Sequence, residues 1–336
     1  MVKYVVLIIA GLCTSVLSVQ EMKIDTYDDL QKADAKLKDN KQYSEALNLI
    51  ENEKEKFPDK EFELSAELAD LCLKTEQYEK CYKVWENGHQ KGFFFLIDPR
   101  FEQYKPIAEN ERFKNYAAAD KALREKALEK SKTKYELFLP DDYDENRKYP
   151  LFFILHGGGR NIESAKNDWK RTAPLNTDYI MVYLQSYLHY DHSTFGWRSS
   201  DERAFNDVKN ILDEIKAEYK VDTSKIIIGG VSAGGVAAID LAIHEIIPVK
   251  GVIGFCPGRP KAFDADKAEI LKKNGVKFFF VSGENDFYLE RQKQMAAVFD
   301  KIKIAYQLKI IPGMGHSFPD EYPAHLKIAL HFLLSK

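Results

Sequence analysis

A serine flanked by glycines lies in residues 230–234, which read Gly-Val-Ser-Ala-Gly. The apolar run 225–229 before it predicts a strand, and residues 236–243 after it predict a helix. Glycines on both sides are typical of a strand-to-helix turn so tight that neighbouring side chains would collide. A serine at the start of that helix lies near backbone N–H groups that favour developing negative charge. The pattern predicts that Ser232 is a nucleophile, and the alternative is a glycine-rich turn that contains a serine by chance.

A base and an acid are needed beside such a serine, because an unassisted hydroxyl is a weak nucleophile. An imidazole can take its proton, and a carboxylate can fix the imidazole tautomer and stabilise the imidazolium. His316 and Asp286 each follow a predicted strand. Glu284 competes for the acid role, but Asp286 lies two residues further beyond its strand. The sequence therefore predicts a triad of Ser232, Asp286 and His316; taken alone, His316 or Asp286 would be read as a solvated loop residue.

A run of three glycines follows His156 at the end of the predicted strand 151–155. Glycines leave the backbone free to turn its N–H groups toward an oxyanion, a task worth about 3 kcal/mol per donor. We expect an oxyanion hole formed by Gly158 or Gly159 together with Ala233, the residue after the nucleophile. His156 itself is expected to support this loop rather than to act as the base. On its own, the run could be an ordinary loop.

A loop rich in tyrosine and serine, residues 187–200, follows another predicted strand and should overhang the same edge of the sheet. Trp197 is expected to form a flat apolar wall of a substrate pocket, and Arg198 is expected to meet a substrate carboxylate. Core packing for Trp197 and a surface ion pair for Arg198 are the alternatives.

Metal and cofactor chemistry is not indicated by the sequence. No histidine pair has the HExxH spacing of a zinc site. Of the four cysteines, Cys13 lies in the apolar run at the start of the chain and would be removed with a signal. The remaining Cys72, Cys81 and Cys256 show no zinc-ligand spacing, and three thiols cannot all pair with one another. Cys72 and Cys81 lie on apolar helical stripes, where small core residues are expected. We therefore expect no metal and no cofactor.

Beta-type runs alternate with amphipathic helical stretches from about residue 134 onward. Several runs are apolar at consecutive positions, which indicates strands covered by helices on both faces. This alternation predicts an α/β fold with a mostly parallel sheet, in which functional residues collect at the carboxyl ends of the strands. The predicted strands are residues 135–139, 151–155, 180–184, 225–229, 249–255, 276–281 and 306–311.

An internal repeat occupies the first third of the chain, where residues 40–47 resemble residues 75–82. The offset is close to the ~34 residues of tetratricopeptide repeats. Tyr43 and Tyr78 are expected to pack where two helices meet, and Ala46 is small enough to let those helices approach. The segment resembles a short, all-α tetratricopeptide-like domain. Such repeats can present a concave surface to a protein partner, and the alternative is a cap packed on the second domain.

The first residues carry one positive charge at Lys3, an apolar run to about Leu17 and then small residues. This order predicts a secretory signal over residues 1–20, and hence a secreted or periplasmic protein. A buried strand and a membrane anchor are the alternatives, but the run falls short of the ~20 apolar residues that a span needs. The predicted division is therefore signal 1–20, helical domain 21–130 and second domain 131–336.

Composition excludes some classes of partner. A chain of 336 residues with 45% hydrophobic content can bury a large core, and about two domains are expected. The 49 basic and 52 acidic residues give a net charge of only -3. No field of the whole protein therefore favours nucleic acid or an anionic membrane, and a neutral or weakly polar small substrate fits better.

With these motifs in place, residues 134–336 resemble secreted α/β-hydrolases of the carboxylesterase, feruloyl esterase and polyhydroxybutyrate depolymerase-like group. The resemblance rests on the His-Gly-Gly-Gly run, Trp197, residues 204–208 and the Gly-x-Ser-x-Gly turn, followed by the acid and the histidine in that order. It implies an α/β-hydrolase fold and a metal-free acyl-enzyme mechanism that cleaves small-molecule or polymeric esters. Many relatives carry His or Cys before the nucleophile, whereas this chain has Val231, so the resemblance does not identify the ester.

Two other functions share some of these features. A serine peptidase similar to the prolyl oligopeptidase catalytic domain uses the same order of triad residues, and amide substrates would distinguish it. A catalytically inactive binding protein would keep the fold and use the helical repeats; labelling of Ser232 by a fluorophosphonate would exclude it.

Overall fold

The computed structural model describes residues 23–172 and 175–335, so the predicted signal over residues 1–20 lies outside the described residues. The chain divides into two compact units. The helical unit runs to Gln90 and adds Pro99–Lys114. The second unit, named the catalytic unit after the predicted triad that it contains, holds Lys91–Asp98 and Asn115–Lys336. The domain boundary predicted at residue 130 is therefore placed differently, because one long helix, Glu111–Lys130, belongs to both units.

From residue 23 on, the helical unit is built from two pairs of α-helices. Their amphipathic sequences bury one stripe each, and the buried residues include Leu30 and Leu37 in the first helix and Leu68 and Leu71 in the third. The helices are α1 (Tyr27–Asp39), α2 (Tyr43–Glu53), α3 (Glu61–Lys74) and α4 (Tyr78–Gln90), and α5 (Glu111–Lys130) begins in this unit. Short 3-10 turns occupy Lys54–Lys56, Pro58–Lys60 and Glu102–Ile107.

The turns inside the two helix pairs have the same geometry. Lys41 in the first turn and Glu76 in the second both have positive φ, 60° and 57°. In each turn the next amide donates to a carbonyl five residues back, Gln42 to Leu37 at 2.9 Å and Gln77 to Cys72 at 2.8 Å. The sequence repeat is therefore also a repeat of local backbone structure.

Small residues lie where the repeat places them. Ala46 and Cys81 are both fully buried, in α2 and α4. The Cys81 thiol lies 3.6 Å from the carbonyl of Ala69 in α3, a distance that a larger side chain would not permit. Close helix packing within this unit therefore depends on these small side chains.

The catalytic unit contains a seven-stranded sheet in the order β1-β3-β2-β6-β7-β8-β9. Strand β1 is antiparallel to β3, and each of the other neighbouring pairs is parallel. All seven predicted strands lie in this sheet, with ends that differ by a few residues. The strands are β1 (Lys134–Phe138), β2 (Tyr149–Leu155), β3 (Ile180–Gln185), β6 (Val221–Val231), β7 (Val249–Phe255), β8 (Lys277–Gly283) and β9 (Tyr306–Ile311), and a small hairpin is formed by β4 (Leu188–His189) and β5 (Phe195–Gly196).

Helices cover both faces of the sheet. Alternate residues of β2 point to opposite cores: Leu151 and Phe153 belong to one cluster, and Phe152 and Ile154 to the other. Helices α8 (Glu202–Glu218), α9 (Ala233–Ile243), α10 (Ala265–Lys273) and α11 (Leu289–Ile302) pack on the first face, and α6 (Ile162–Asp168), α7 (Leu175–Asp178) and α12 (Tyr322–Leu334) pack on the second. This double coverage explains why the strands are apolar at consecutive positions.

Among the described residues, none of the helices combines the length and the apolar character that crossing a bilayer requires.

Candidate active site

The turn after β6 holds Ser232 in a strained backbone conformation, with φ 52° and ψ -115°. A Cβ on Gly230 would lie 2.3 Å from the Gly234 carbonyl carbon, and a Cβ on Gly234 would lie 2.4 Å from the His156 oxygen. Both positions therefore require glycine. The Ser232 amide donates to the carbonyl of Phe255 in β7 at 2.9 Å, which fixes the turn to the sheet. The serine hydroxyl consequently stands at the carboxyl end of β6, at the start of α9.

Three side chains from three different strand ends meet at this turn. Nε2 of His316 lies 2.9 Å from Oγ of Ser232, and Nδ1 of His316 lies 2.9 Å from Oδ1 of Asp286. The Asp286 side chain is fully buried, and 20% of the His316 side chain is exposed. This geometry lets the imidazole accept the hydroxyl proton while the carboxylate holds the opposite nitrogen.

The environment of Asp286 favours the ionised form. Burial alone would raise the pKa of this carboxyl, but hydrogen bonds from the Tyr288 amide, His316 and Cys256 together lower it. The Tyr288 amide donates to Oδ1 at 2.8 Å. An ionised carboxylate is therefore maintained beside the imidazole at neutral pH.

Glu284, the other candidate for the acid, points elsewhere. Its carboxylate accepts a hydrogen bond from the Gly313 amide at 3.0 Å, and its side chain is exposed. Glu284 thus supports the loop that carries His316, whereas Asp286 contacts the imidazole itself.

The glycine run after β2 lies against the turn that carries Ser232. A Cβ built on Gly158 would lie 3.3 Å from the Ala233 Cβ, so the two backbones are neighbours. The Gly159 amide donates to the Phe195 carbonyl at 2.9 Å. Of the expected oxyanion donors, Gly158 and Ala233 are adjacent, and Gly159 instead anchors the loop to the hairpin.

His156 supports this loop from inside the protein. It is fully buried, and its Nε2 accepts from the Ser186 amide at 3.2 Å, so Nδ1 carries the proton and donates to the Gly157 carbonyl at 2.7 Å. Burial, with a smaller contribution from Arg160, lowers the pKa of His156 to about 4. The imidazole is therefore neutral and structural.

Trp197 is buried rather than exposed as an open wall. Only 8% of the residue is exposed, and its indole N–H donates to the His156 carbonyl at 3.0 Å. A buried indole N–H needs such a partner, and the position of the partner decides how the ring is oriented. Most of Trp197 therefore packs in the core and braces the residue before the glycine run, while the residue still borders a cavity, so its role as a substrate wall stays a prediction.

Arg198 is exposed and borders a cavity of about 400 Å³ together with Trp197, Tyr190 and Arg124. Among the described residues, neither arginine forms a hydrogen bond or an ion pair. The expected surface ion pair for Arg198 is therefore not formed within the described part of the chain.

Tyr190 was not singled out by the sequence, although it connects this cavity to the glycine run. Its hydroxyl would lie 3.8 Å from a Cβ on Gly158, and its ring packs so closely on Gly196 that a Cβ there would lie 2.2 Å from it. In the sequence, the only residue that could have indicated this close contact is Gly196, the glycine next to Trp197.

Aromatic rings surround the imidazole. The Phe287 ring stacks on His316 with centroids 4.2 Å apart, and Phe287 is 68% exposed. Tyr288 meets the same imidazole edge-on at 5.4 Å. The exposed Phe287 ring therefore presents an apolar surface beside the His316 imidazole.

One group of metal-type ligand atoms occurs among the described residues, formed by Cys256, Asp286 and His316 with atoms within 4.8 Å of one another. Both nitrogens of His316 are already engaged, one by Asp286 and one by Ser232. The Cys256 thiol lies 3.3 Å from the Ser317 carbonyl, and burial, reinforced by Asp286, raises the pKa of Cys256 to about 12. This cluster therefore provides a hydrogen-bonded relay with a protonated thiol, whereas metal binding would require the relay to open.

Similar proteins are found by sequence and by structure. Residues 191–329 match the dienelactone hydrolase family, which is less than half of the chain. A bifunctional acetylxylan esterase/xylanase of Neocallimastix patriciarum is 28% identical over 43% of this chain and 20% of its own length. Feruloyl esterase D of Neurospora crassa is 26% identical over 35% of this chain and 43% of its own length. The chain therefore spans less than half the length of these curated relatives.

A crystal structure of an uncharacterized Bacillus cereus protein has a TM-score of 0.52 and 24% identity, covering 92% of this chain and 99% of that one. This likeness concerns the fold, and it extends over residues of both units. With the order of the sheet, these similarities support an α/β-hydrolase fold.

Proposed function

We propose that this chain is a serine hydrolase that cleaves carboxylic esters through an acyl-enzyme intermediate. One observation carries the proposal: Ser232, His316 and Asp286 form a continuous relay with two contacts of 2.9 Å. Such a relay, at the carboxyl ends of a parallel sheet, is the arrangement that activates an alcohol for acyl transfer.

The mechanism follows from this geometry. His316 takes the proton of Ser232 as the hydroxyl attacks the ester carbonyl, and Asp286 stabilises the imidazolium that forms. The oxyanion is proposed to be held by the amides of Gly158 and Ala233, because these two residues are neighbours beside Ser232. His316 then protonates the leaving alcohol, and water repeats the cycle to release the acid.

The substrate class is proposed from the surroundings of the relay and from the relatives. Phe287 offers an apolar surface over His316, while the cavity beside Tyr190 offers Arg198 as a partner for a polar or acidic group. The matched relatives are named for feruloyl and acetylxylan esters. We propose small-molecule or polymeric esters of this kind, with an aromatic or short acyl group.

The remaining parts of the chain carry proposals from the sequence. Residues 1–20 are proposed to be a secretory signal, and the protein is proposed to act outside the cytoplasm. The helical unit is proposed to be tetratricopeptide-like, supported by the repeated turns at Lys41 and Glu76, and to offer a surface to a protein partner.

A substrate panel tests the proposed function. p-Nitrophenyl acetate, butyrate and ferulate are compared with aminoacyl-proline p-nitroanilides, using the wild type and Ser232→Ala. We expect ester turnover by the wild type alone, with Ser232→Ala equally well folded by circular dichroism. Cleavage of the anilides and not of the esters would instead favour a peptidase, and ester turnover by Ser232→Ala would refute the assignment of the nucleophile.

A further inference from the structure

A buried glutamine, Gln292, lies in α11 close to the relay. The residue is fully buried, although a side-chain amide carries two N–H donors and one carbonyl acceptor that all require partners. A leucine or methionine would fill the same volume without this requirement. The contacts of the Gln292 amide should therefore explain why a polar side chain is buried here.

The partners of Gln292 lie on three different segments. Its Nε2 donates to Oδ2 of Asp286 at 3.3 Å and to the Pro257 carbonyl at 2.9 Å. Its Oε1 accepts a hydrogen bond from the hydroxyl of Ser282, which is also fully buried. The amide thus links the end of β8, the segment after β7 and the carboxylate of the relay.

These contacts permit only one orientation of the amide. A rotation by 180° would turn Oε1 toward the Pro257 carbonyl and the Asp286 carboxylate, which are both acceptors. The Ser282 hydroxyl reinforces the observed orientation because it donates to Oε1. Ser282 and Pro257 therefore hold the N–H group of Gln292 toward Asp286.

The two oxygens of Asp286 have separate partners. Oδ1 accepts from His316 and from the Tyr288 amide, and Gln292 donates to Oδ2. A carboxylate held at both oxygens cannot rotate about its terminal torsion, so Oδ1 stays directed at the imidazole. The titratable side chains that contact Asp286 are His316 and Cys256.

We propose that Gln292, oriented by Ser282, is a positioning residue that fixes the carboxylate of Asp286 for the relay. The inference rests on the proposed function, since the relay has a role only if Ser232 is a nucleophile. Gln292 does not touch the substrate. It acts through Asp286, by preventing rotation of the carboxylate and by sharing its negative charge.

Gln292→Met tests the proposal, because methionine retains the volume and removes the donor. Gln294→Met is the matched control, since Gln294 lies on the same helix, is exposed and, among the described residues, forms a hydrogen bond with Arg259 alone, at 3.4 Å. Gln292 donates to the charged Asp286 at a distance near the long end of the hydrogen-bond range. Because Gln292→Met removes this hydrogen bond, kcat should fall about tenfold. KM should change by less than about twofold, because only the transition state contains the imidazolium.

The pH dependence of kcat/KM distinguishes a positioning role of Gln292 from a role in packing alone. With one donor fewer, the Asp286 carboxylate binds a proton more readily, so the acidic limb of kcat/KM should move to higher pH in Gln292→Met. Ser282→Ala removes the hydroxyl that holds Oε1 of Gln292, so the amide can rotate. The acidic limb of kcat/KM should then also move to higher pH, but by less than in Gln292→Met. Gln294→Met should leave both kcat and the limb unchanged.

The outcomes distinguish this inference from the proposed function. A Gln292→Met protein with a lower melting temperature but an unchanged kcat and acidic limb would show that the amide is only structural. If Gln292→Met is too unstable to purify, the Ser282→Ala profile decides alone, and an unmoved limb overturns the inference. If a fluorophosphonate fails to label Ser232 in the wild type, the proposed function has failed instead.

Discussion

At the scale of single residues, the sequence predicted the relay because its members follow strand ends in a fixed order. Ser232, Asp286 and His316 each bring a chemistry that few other residue types provide, so type and position together were informative. The supporting residues were harder to predict. Gln292 and Tyr190 are ordinary residue types in a helix and a loop, and only the three-dimensional contacts reveal what they touch.

Arg198 offers a test of substrate recognition. Among described residues its guanidinium has no partner, and it borders the cavity next to Tyr190. Arg198→Gln is expected to lower kcat/KM by about tenfold for an ester with a free carboxylate, and to leave the matched methyl ester within about twofold. The measurement is the ratio of kcat/KM for p-nitrophenyl hydrogen succinate and its methyl ester. An unchanged ratio would exclude Arg198 from binding the charged group.

The lowered pKa of His156 predicts that the free energy of unfolding depends on pH. The folded protein keeps this imidazole neutral down to about pH 4, whereas the unfolded chain binds a proton below about 6.5. The unfolded state thus holds more protons between these values, and stability falls as pH falls through that window, by up to about 3 kcal/mol. His156→Gln keeps an acceptor for the Ser186 amide and lacks the titration.

The measurement for His156 is urea unfolding of the wild type and His156→Gln at pH 7.0, 5.5 and 4.5. The difference in the free energy of unfolding between the two proteins should shrink as the pH is lowered. A difference that stays constant would mean that His156 is not kept neutral by the fold.

At the scale of elements, hydrophobic patterning predicted all seven strands, because strands covered on both faces must be apolar at nearly every position. The helices of the first unit were predicted from the repeat. The helix Glu111–Lys130 was placed wholly in the first domain, but its residues from Asn115 on belong to the catalytic unit. This helix is rich in Ala, Lys and Glu, and that composition does not indicate to which unit its residues belong.

The repeated turns predict a stabilising substitution. Lys41 and Glu76 have φ of 60° and 57°, a region that costs residues with a Cβ about 1 kcal/mol and costs glycine little. Lys41→Gly and Glu76→Gly should each raise the free energy of unfolding by several tenths of a kcal/mol, up to about 1 kcal/mol. Lys36→Gly, inside α1, is the control and should lower it by about 1 kcal/mol. A loss of stability in either turn variant would contradict the positive φ.

At the scale of the whole molecule, the chain divides into two compact units, and apolar residues are buried in each of them. The near-neutral charge of -3 and the cysteine content narrowed the classes of partner and chemistry to consider, but they did not indicate the site itself. Specificity could not be predicted, because Tyr190, Phe287 and Arg198 come from loops whose paths depend on packing far along the chain.

The reactivity of the buried cysteine thiols tests how easily each of the two units opens. Cys72 and Cys81 are buried in the helical unit, and Cys256 is buried in the catalytic unit. Burial raises the pKa of Cys72 to about 11 and that of Cys256 to about 12, so the reactive thiolate is scarce. In the native protein, Cys72, Cys81 and Cys256 should each react with Ellman's reagent at least about 100-fold more slowly than in the urea-unfolded protein. Rapid reaction at any of the three positions, located by peptide mapping, would show that its unit opens easily.

The central claim is that one serine is made nucleophilic by the side chains around it. The most direct measurement is the rate and site of labelling by a fluorophosphonate, followed by intact mass and peptide mapping in the wild type, Ser232→Ala and His316→Ala. The account predicts one label per chain on Ser232 in the wild type, none in Ser232→Ala and labelling at least about 100-fold slower in His316→Ala. Labelling at another residue, or an equal rate without His316, would contradict it.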